Sequence, residues 1–386
     1  MMDKKELFVM YFCVVLTMSV MYATQPLQPH FEEILQISKF QASLFMTATL
    51  IPLAFASIFY GFLLEKITIK KALIVAFGAF SVLEFIFAGA SSYTLLLSIR
   101  VLQGFIVPVA LTGIVSFISQ NSSSKKIASA VSAYVGITIL GGFFGRLLSG
   151  ICSDLFGWRV FFYFISFMLA LAVFLLCRIK GDAVSGYSKP KFRTILQIFE
   201  IRHNFYTYLA IFCIFFVFQG VLNIMPFELL RLDGNFSGSK IGFMYFGYII
   251  GILVSFNAAK IVKFFGNEIK AIMVGAIIFT VSIQILRIEN YGVIFSGMLI
   301  FCLGSFIAHS VANGFINKRA LSHKAICNGL YISFYYAGGA LGTFVPGFFY
   351  GIGGWGLFLS VLTVVLFCAI FCIYKLKKYE KREILS

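Results

Sequence analysis

Long apolar segments follow one another along almost the whole chain. Each is about 20 residues long, the length of a helix that crosses the roughly 30 Å hydrocarbon layer of a bilayer. Of the 386 residues, 60% are hydrophobic and 12% are charged, about half the charged share of a soluble globular protein. The segments do not alternate between polar and apolar residues, as the strands of a membrane β-barrel do. The sequence therefore predicts an all-α membrane protein.

The apolar segments define twelve predicted transmembrane helices. The first segment runs into the turn QPLQPHFEE without a small-x-small cleavage site, so we interpret it as a membrane helix and not as a signal peptide. The predicted helices lie near residues 7–27, 41–63, 72–91, 94–117, 128–150, 157–177, 205–226, 240–262, 269–288, 292–316, 326–350 and 355–374.

Basic residues are distributed unevenly between the two sides of these helices. One set of connections and termini holds 24 of the 31 Lys and Arg residues, the other set holds five, and the remaining two, Arg100 and Arg146, lie within helices. Cytoplasmic connections carry the excess of Lys and Arg in membrane proteins. Both termini are therefore predicted to be cytoplasmic. The net charge of +16 indicates topology, and no nucleic-acid partner is expected.

The chain contains a repeat at an offset of 197 residues. Glycines of the fifth predicted helix recur in the eleventh, and each set is followed by one of the two tryptophans, Trp158 and Trp355. The repeat predicts two pseudo-symmetric six-helix bundles, residues 1–179 and 204–386, joined by a cytoplasmic linker at 180–203. Small residues allow membrane helices to pack closely. The glycines predicted to do so are Gly141, Gly142, Gly145, Gly150, Gly338, Gly339, Gly342 and Gly347.

Three short motifs carry a resemblance to a known family. GFLLEKITIKK, from Gly61, is similar to G-x-x-x-D-R-x-G-R-R, although the glycine expected near Thr68 is missing. RVLQG, from Arg100, has the pattern R-x-x-Q-G, and GGFFGRLLSG, from Gly141, resembles a glycine-rich antiporter motif. On these residues the chain resembles, over essentially its whole length, a twelve-helix major facilitator superfamily transporter. The efflux-type branch of the bacterial inner membrane fits best.

This resemblance implies a secondary-active transporter that alternates access to a central site, as repeated membrane halves allow. The expected activity is export of a small organic solute in exchange for protons, and proton-coupled uptake is the alternative. A membrane-embedded enzyme is not expected, because the sequence has no HExxH, phosphate-loop or nucleophile-elbow motif. A non-transporting sensor would need a sizeable soluble domain, and none is expected. Protons, solute and lipid are the expected partners, with no cofactor and no metal.

The resemblance also implies a cytoplasmic gate between the second and third predicted helices. In the family, this charged loop contacts neighbouring helix ends when the cytoplasmic side is closed. Exposed charge pairs contribute about 0–1 kcal/mol each, which is enough to bias two states of nearly equal energy. A basic loop that only sets topology is the alternative. The predicted gate residues are Gly61, Glu65, Lys66, Lys70 and Lys71.

The substrate cavity of the family is lined by the first and fourth helices of each half and their neighbours. Most residues that match these positions form hydrogen bonds without carrying charge, and His309 has a second interpretation as a core histidine. The implied cavity residues are Tyr22, Gln25, Arg100, Gln103, Arg146, Gln219, Asn223, His309 and Asn313.

Two ionisable residues are predicted at similar depth in adjacent helices. Glu84 lies seven residues before Ser91, at the outer end of the third helix. Arg100 lies seven residues after Tyr93, at the outer end of the fourth helix, so both are roughly 10 Å below the outer edge. Ionisable groups at such depth are paired or face a cavity. We predict that Glu84 and Arg100 pair and couple proton entry to transport, with a static pair as the alternative.

Arg146 is the second buried cation of the first half. The second copy of the repeat has Thr343 at the same place, so the fold itself does not require the charge. One interpretation places Arg146 on the cavity wall, where it attracts an anionic or polyhydroxylated substrate. In the other, its side chain reaches the outer surface and pairs with Asp154.

Overall fold

The described part of the chain folds into α-helices. A computed structural model describes residues 4–63, 68–122, 124–182, 192–234, 237–319 and 324–385, and these contain no β-strand. The helices that cross or flank the membrane are α1 (Lys4–Tyr22), α2 (Gln28–Leu35), α3 (Lys39–Leu63), α4 (Ile69–Gly89), α5 (Tyr93–Asn121), α6 (Ser124–Phe156), α7 (Trp158–Arg178), α8 (Phe192–Glu200), α9 (Arg202–Leu232), α10 (Gly238–Phe243), α11 (Gly247–Phe256), α12 (Ala258–Phe265), α13 (Glu268–Ile285), α14 (Tyr291–Arg319) and α15 (Lys324–Leu385). The predicted all-α class is confirmed.

Eleven helical segments of the described residues are long and apolar enough to cross a membrane. The last of them, Ile326–Glu380, has 55 residues, or about 80 Å of helix, which is more than twice the hydrocarbon thickness. Its backbone leaves the helical conformation at Gly353 and Gly354, and Gly354 has a φ of 63°, which favours glycine. This break divides α15 into two crossings. The predicted twelve transmembrane helices are therefore confirmed for the described part of the chain.

The predicted helix near 240–262 is interrupted. It consists of α10, a 3₁₀ turn at Met244–Phe246, and α11. A Cβ on Gly247, the first residue of α11, would lie 2.7 Å from both Cys302 Sγ and Met298 O on α14. Such a distance is too short for a carbon contact, so glycine is what allows α11 to approach α14 this closely.

Two short helices occupy segments that the sequence predicts as connections. The first, α2, lies in the turn QPLQPHFEE and has Pro29 as its second residue. It is followed by its C-cap residue Gln36, whose φ of 51° is left-handed. Proline is favoured in the first turn of a helix, so this proline starts a helix here instead of only preventing one. The second, α8, lies in the predicted linker, of which residues 183–191 are outside the described part.

The chain divides into two compact units. Unit 1 contains residues 1–188 and 233–245, and unit 2 contains residues 189–232 and 246–386. In unit 1, α1 packs on α6, α3 on α5 and α4 on α7. In unit 2, α9 packs on α15, α13 on α14 and α11 on α14. The predicted division of the chain at residues 180–203 stays a prediction.

The 197-residue repeat is present in side-chain contacts as well as in the sequence. In unit 1 the Tyr11 hydroxyl donates to Ala130 O at 3.0 Å. In unit 2 the Tyr208 hydroxyl donates to Cys327 O at 2.9 Å, and both residues are offset by 197 from their counterparts. The two helix pairs, α1 with α6 and α9 with α15, therefore use equivalent anchors.

Gly145 of α6 and Gly342 of α15 lie where the backbones of these helix pairs come close together. A Cβ on Gly145 would lie 2.6 Å from Ser19 Cα on α1. On the equivalent Gly342 it would lie 2.7 Å from Phe216 Cα on α9. Each glycine therefore allows two helix backbones of one unit to touch.

Candidate functional site

Arg100 on α5 joins three helices of unit 1 through its guanidinium group. The side chain is fully buried. Its Nη1 donates to Val20 O at 2.7 Å and its Nη2 to Met21 O at 2.6 Å, both in the last turn of α1. The last four carbonyls of a helix have no partner within that helix, so Arg100 satisfies two of them. Further bonds reach Phe45 O on α3 at 3.3 Å and Gln103 Oε1 at 2.7 Å.

Glu84 on α4 is a fully buried carboxyl group near this guanidinium. Two polar groups set the electrostatic environment of this carboxyl group: the charge of Arg100 and the side chain of Gln103. Neither carboxylate oxygen makes a hydrogen bond within the described residues, and Gln103 Nε2 makes none either. The structure therefore places Glu84 and Arg100 near each other in the interior of unit 1. No direct ion pair joins them in the described part of the chain.

Arg146 on α6 is held by uncharged partners. Its Nε donates to Gln25 Oε1 at 2.7 Å, and its Nη1 donates to Gly142 O at 2.8 Å. The guanidinium lies 3.9 Å from the centroid of the Tyr22 ring and 5.1 Å from that of Tyr245, within the range of cation–π attraction. Three of the predicted cavity residues, Tyr22, Gln25 and Arg146, thus form one cluster in unit 1.

The alternative in which Arg146 reaches the outer surface is wrong. Its side chain has no exposed area. Asp154, the partner in that alternative, accepts the backbone N–H groups of Gly238 at 2.9 Å and Ser239 at 2.7 Å. A carboxylate at a helix N-terminus binds free backbone donors and complements the helix dipole. Asp154 therefore caps α10.

Gln219 and Asn223 lie on α9 of unit 2, and both are fully buried. The Asn223 side chain donates to Thr343 O on α15 at 3.1 Å. A Cβ on Gly339 would lie 3.2 Å from Gln219 Cγ, so the glycine face of α15 accommodates this side chain. These two predicted cavity residues thus pack between the two closest helices of unit 2.

His309 and Asn313 follow each other by one turn on α14 and are half-buried. The Tyr331 hydroxyl lies 3.0 Å from His309 Nδ1 and 2.9 Å from His309 O. Asn317, one further turn along, donates to Asn313 Oδ1 at 2.8 Å. Unit 2 therefore presents a polar stripe of His309, Asn313 and Asn317 on α14 that contains two predicted cavity residues.

Two of the five residues of the predicted cytoplasmic gate, Glu65 and Lys66, lie outside the described residues. Gly61 lies in the last turn of α3. The Lys70 ammonium donates to Ile179 O at the end of α7, and the Lys70 backbone N–H donates to Asp182 Oδ1 at 3.2 Å. Lys70 therefore ties the start of α4 to the end of α7 within unit 1.

Lys71, the remaining predicted gate residue, is exposed. It lies in the first turn of α4, which begins at Ile69. An exposed lysine at this point is available to a partner charge, as the gate prediction requires, and it equally suits a loop that only sets topology.

Sequence analysis missed a buried carboxylate at the end of α9. Glu228 is fully buried. It accepts hydrogen bonds from Arg231 Nε at 3.0 Å, from Arg231 Nη2 at 2.7 Å and from the Tyr350 hydroxyl at 3.0 Å. Arg231 also pairs with Glu289 at 2.9 Å. The available signal was the Pro-Phe-Glu run that ends at Glu228. With its charge neutralised by Arg231, Glu228 is a structural anchor of unit 2.

His30, on α2 outside the membrane spans, is a second titratable group that sequence analysis did not single out. Burial lowers its pKa below the usual value, and the negative charges of Glu33 and Asp154 oppose this effect. The ring is half-buried. Among the described residues, no group of three or more His, Cys, Asp and Glu side chains is arranged to hold a metal ion.

Comparisons with known proteins agree with a membrane transporter. The family model of the Major Facilitator Superfamily matches residues 7–343. An uncharacterized transporter of Buchnera aphidicola subsp. Schizaphis graminum is 26% identical over 370 residues, which cover 93% of this chain and 88% of that protein. The uncharacterized MFS-type transporter YybF of Bacillus subtilis is 25% identical over 382 residues, 95% of this chain and 93% of YybF.

The inner membrane transport protein YnfM of Escherichia coli is 24% identical over 360 residues, 90% of this chain and 85% of YnfM. Among solved structures, a variant of the nucleoside transporter NupG superposes with a TM-score of 0.80 at 12% identity, covering 96% of this chain and 98% of NupG. At that identity the likeness concerns the fold alone. The match of the family model over most of the chain decides the assignment: this is a multi-pass membrane transporter that belongs to the Major Facilitator Superfamily.

Proposed function

We propose that this transporter exports a small organic solute from the cytoplasm in exchange for protons, by alternating access. It acts as an efflux-type antiporter of a bacterial inner membrane, with both termini in the cytoplasm. The observation that carries the proposal is Glu84, a fully buried carboxyl group without hydrogen bonds in the described residues. A carboxyl group inside a membrane protein that lies near a cation but forms no ion pair with it can bind and release a proton during transport.

Arg100 is the element through which protonation of Glu84 acts on the fold. Two unit charges 4 Å apart attract by about 4 kcal/mol at an effective dielectric constant near 20, and this pair, being further apart, attracts less. Protonation of Glu84 removes that attraction. Because Arg100 binds the last turn of α1 and the backbone of α3, the change reaches both helices. About 1.4 kcal/mol is already a tenfold shift between two states.

The proposed solute contacts are polar side chains. In unit 1 the Arg146 cluster, with Tyr22 and Gln25, supplies a fixed positive charge beside an aromatic ring. The other proposed substrate contacts in unit 1 are Arg100 and Gln103. Those in unit 2 are Gln219, Asn223, His309 and Asn313. The proposed cytoplasmic gate consists of Gly61, Glu65, Lys66, Lys70 and Lys71.

Proton-coupled uptake of a small metabolite is the second candidate function. A symporter and an antiporter of the same fold differ only in which states bind proton and solute together, so the buried Glu84 carboxyl group can serve either function. The sign of proton movement relative to solute movement distinguishes the two candidates.

The test is a flux assay with purified protein in liposomes. An inward proton gradient is imposed and internal pH is followed while sugars, nucleosides, dyes and organic acids are added to one side or the other. We expect solute-dependent proton flux in the wild type, opposite in direction to solute flux, and its loss in Glu84→Gln. Glu33→Gln, which removes an exposed carboxylate of α2, is the matched control and should keep the flux.

Three results would count against the proposal. Undiminished flux in Glu84→Gln would remove Glu84 as the coupling group. Proton and solute moving in the same direction would favour uptake. Equal flux in wild type and Arg146→Thr for every organic anion in the panel would remove Arg146 as a substrate contact.

A further inference from the structure

The Tyr331 hydroxyl bridges two atoms of one histidine. It lies 3.0 Å from His309 Nδ1 and 2.9 Å from the carbonyl oxygen of the same residue. A hydroxyl group has one proton to donate, and a carbonyl oxygen can only accept. If the hydroxyl proton goes to the carbonyl, Nδ1 must carry a proton and donate to the hydroxyl oxygen. Only this arrangement makes a hydrogen bond of both short contacts.

From this geometry we infer that Tyr331 is a positioning residue, which fixes His309 in its Nδ1–H tautomer and leaves Nε2 as an acceptor for an N–H or O–H group of the transported solute. The inference rests on the proposed function, since it names the chemistry by which one of the proposed substrate residues recognises its ligand. In a neutral imidazole, one nitrogen donates and the other accepts. A hydrogen bond to the first nitrogen therefore decides what the second can bind.

The surroundings of Nε2 suit a solute contact. Within the described residues the hydrogen bonds of His309 are those of Nδ1 and the carbonyl oxygen with Tyr331, which leaves Nε2 without one, and the His309 side chain is half-buried, not sealed. The Tyr335 ring lies 4.5 Å from the imidazole, centroid to centroid, and itself stacks on Phe215 at 3.5 Å. These aromatic contacts fix the plane of the imidazole, so Nε2 accepts in a defined direction.

The residues that continue from His309 along α14 are polar and uncharged. Asn313 and Asn317 follow at intervals of one turn, and Asn317 lies 3.5 Å from Asn328 Oδ1 on α15. His309 lies ten residues, or about 15 Å, from the Arg319 end of α14. The stripe of His309, Asn313 and Asn317 therefore offers hydrogen bonds without ionic attraction over about a third of the helix. This favours solutes that present hydroxyl or N–H groups.

The repeat supplies a control for Tyr331. Its counterpart at an offset of 197 is Tyr134, whose hydroxyl donates to Leu111 O at 3.3 Å. The position equivalent to His309 is Thr112. Tyr134→Phe therefore removes a tyrosine-to-backbone hydrogen bond of the same kind without changing a histidine.

The tautomer is measured by nitrogen NMR on protein with ¹⁵N-labelled histidine in nanodiscs. The chain has four histidines, so His30→Gln, His203→Gln and His323→Gln leave His309 as the only signal. We expect the proton on Nδ1 in this background and in Tyr134→Phe, and a shift of the population towards Nε2–H in Tyr331→Phe. A proton on Nε2 in the background protein, or no change in Tyr331→Phe, would overturn the inference. If Tyr331→Phe does not fold, the background spectrum alone decides.

The same signal tests the substrate class. Glucose, uridine and indole, which carry O–H or N–H donors, are added together with their fully methylated counterparts. At least one donor-bearing solute should shift the Nε2 resonance and its methylated counterpart should not. Equal response to both, or to none of the three donors, would refute the substrate class. These spectra require no transport, so a chain that shows the expected tautomer but no proton flux would refute the proposed function alone.

Discussion

A single methyl group at Gly145 should separate α1 from α6. An alanine Cβ at this position would lie 2.6 Å from Ser19 Cα and 3.2 Å from Ser19 O, whereas carbon atoms pack at about 3.5–4.0 Å. One helix must therefore move by about 1 Å. Overpacking of this kind costs about 1–3 kcal/mol, and a gap of that size along the helix pair forfeits about a quarter to a half of each dispersion contact. The higher helix propensity of alanine returns about 1 kcal/mol.

The expected net loss for Gly145→Ala is about 1 kcal/mol. For a folding unit of about 200 residues this lowers the Tm by roughly 2–4 °C. Gly342→Ala, beside Phe216 in unit 2, should behave in the same way. Gly78→Ala on α4 is the control, because a Cβ there has no heavy atom within 4 Å, and it should keep or raise the Tm.

The assay is thermal unfolding of the purified variants in one detergent, followed by intrinsic fluorescence. Liposome flux is measured beside it, because Arg146 follows Gly145 directly and should be displaced with it. Gly145→Ala with a Tm equal to or above that of Gly78→Ala would refute the reasoning. It would mean that the close approach of α1 and α6 is not what the glycine provides.

Two further predictions concern charged groups. Arg100→Lys should lower both Tm and flux, because one ammonium group cannot reach the acceptors on α1, α3 and Gln103 together. Each charged hydrogen bond that is lost costs about 1.5–3 kcal/mol. An unchanged Tm would contradict this prediction. His30, with its lowered pKa, favours the folded state while it is neutral, so wild-type Tm should fall as pH drops below about 6.5, the unfolded value. His30→Gln should flatten that fall between pH 7.5 and 5, and parallel curves would contradict it.

Helix number and the repeat could be predicted from the sequence, and two features could not. Apolar length decides what crosses a bilayer, so the twelve crossings followed directly. The interruption after α10 could not be predicted. A glycine is needed at Gly247 because this residue closely approaches Cys302, which lies on a helix distant in the sequence. The short helix α2 could not be predicted, because prolines in a sequence indicate a turn as readily as the start of a helix. Pro29 lies in the first turn of α2, where a helix tolerates proline.

Candidate site residues were easiest to find where a charge interrupts an apolar segment. Arg100 and Arg146 were singled out for that reason, but their partners were not foreseen. Most of these partners are backbone carbonyls, such as Val20 O and Gly142 O, and a carbonyl has no signature in the sequence. Tyr331 was missed for a related reason: it is one of 18 tyrosines, and only its contact with His309 distinguishes it.

The repeat itself separates residues that build the fold from residues proposed to act. Where a contact holds a bundle together, both units keep it, as Tyr11 and Tyr208 do. The tryptophan that begins α7 also recurs, as Trp355, and its indole N–H donates to Leu286 O at 2.8 Å. These residues satisfy requirements that both six-helix halves share.

Four ionisable groups that are proposed to act have no ionisable counterpart. At the offset of 197, Glu84 corresponds to Val281, Arg100 to Gly297 and Arg146 to Thr343. His309 corresponds in the other direction to Thr112. The lack of a counterpart alone does not assign a role, because Glu228, an anchor of unit 2, corresponds to Phe31. The charge of Glu228 is neutralised by Arg231, whereas Glu84 forms no ion pair within the described residues. Glu84, which has neither a counterpart in the repeat nor an ion-pair partner among those residues, is therefore the best guide to coupling.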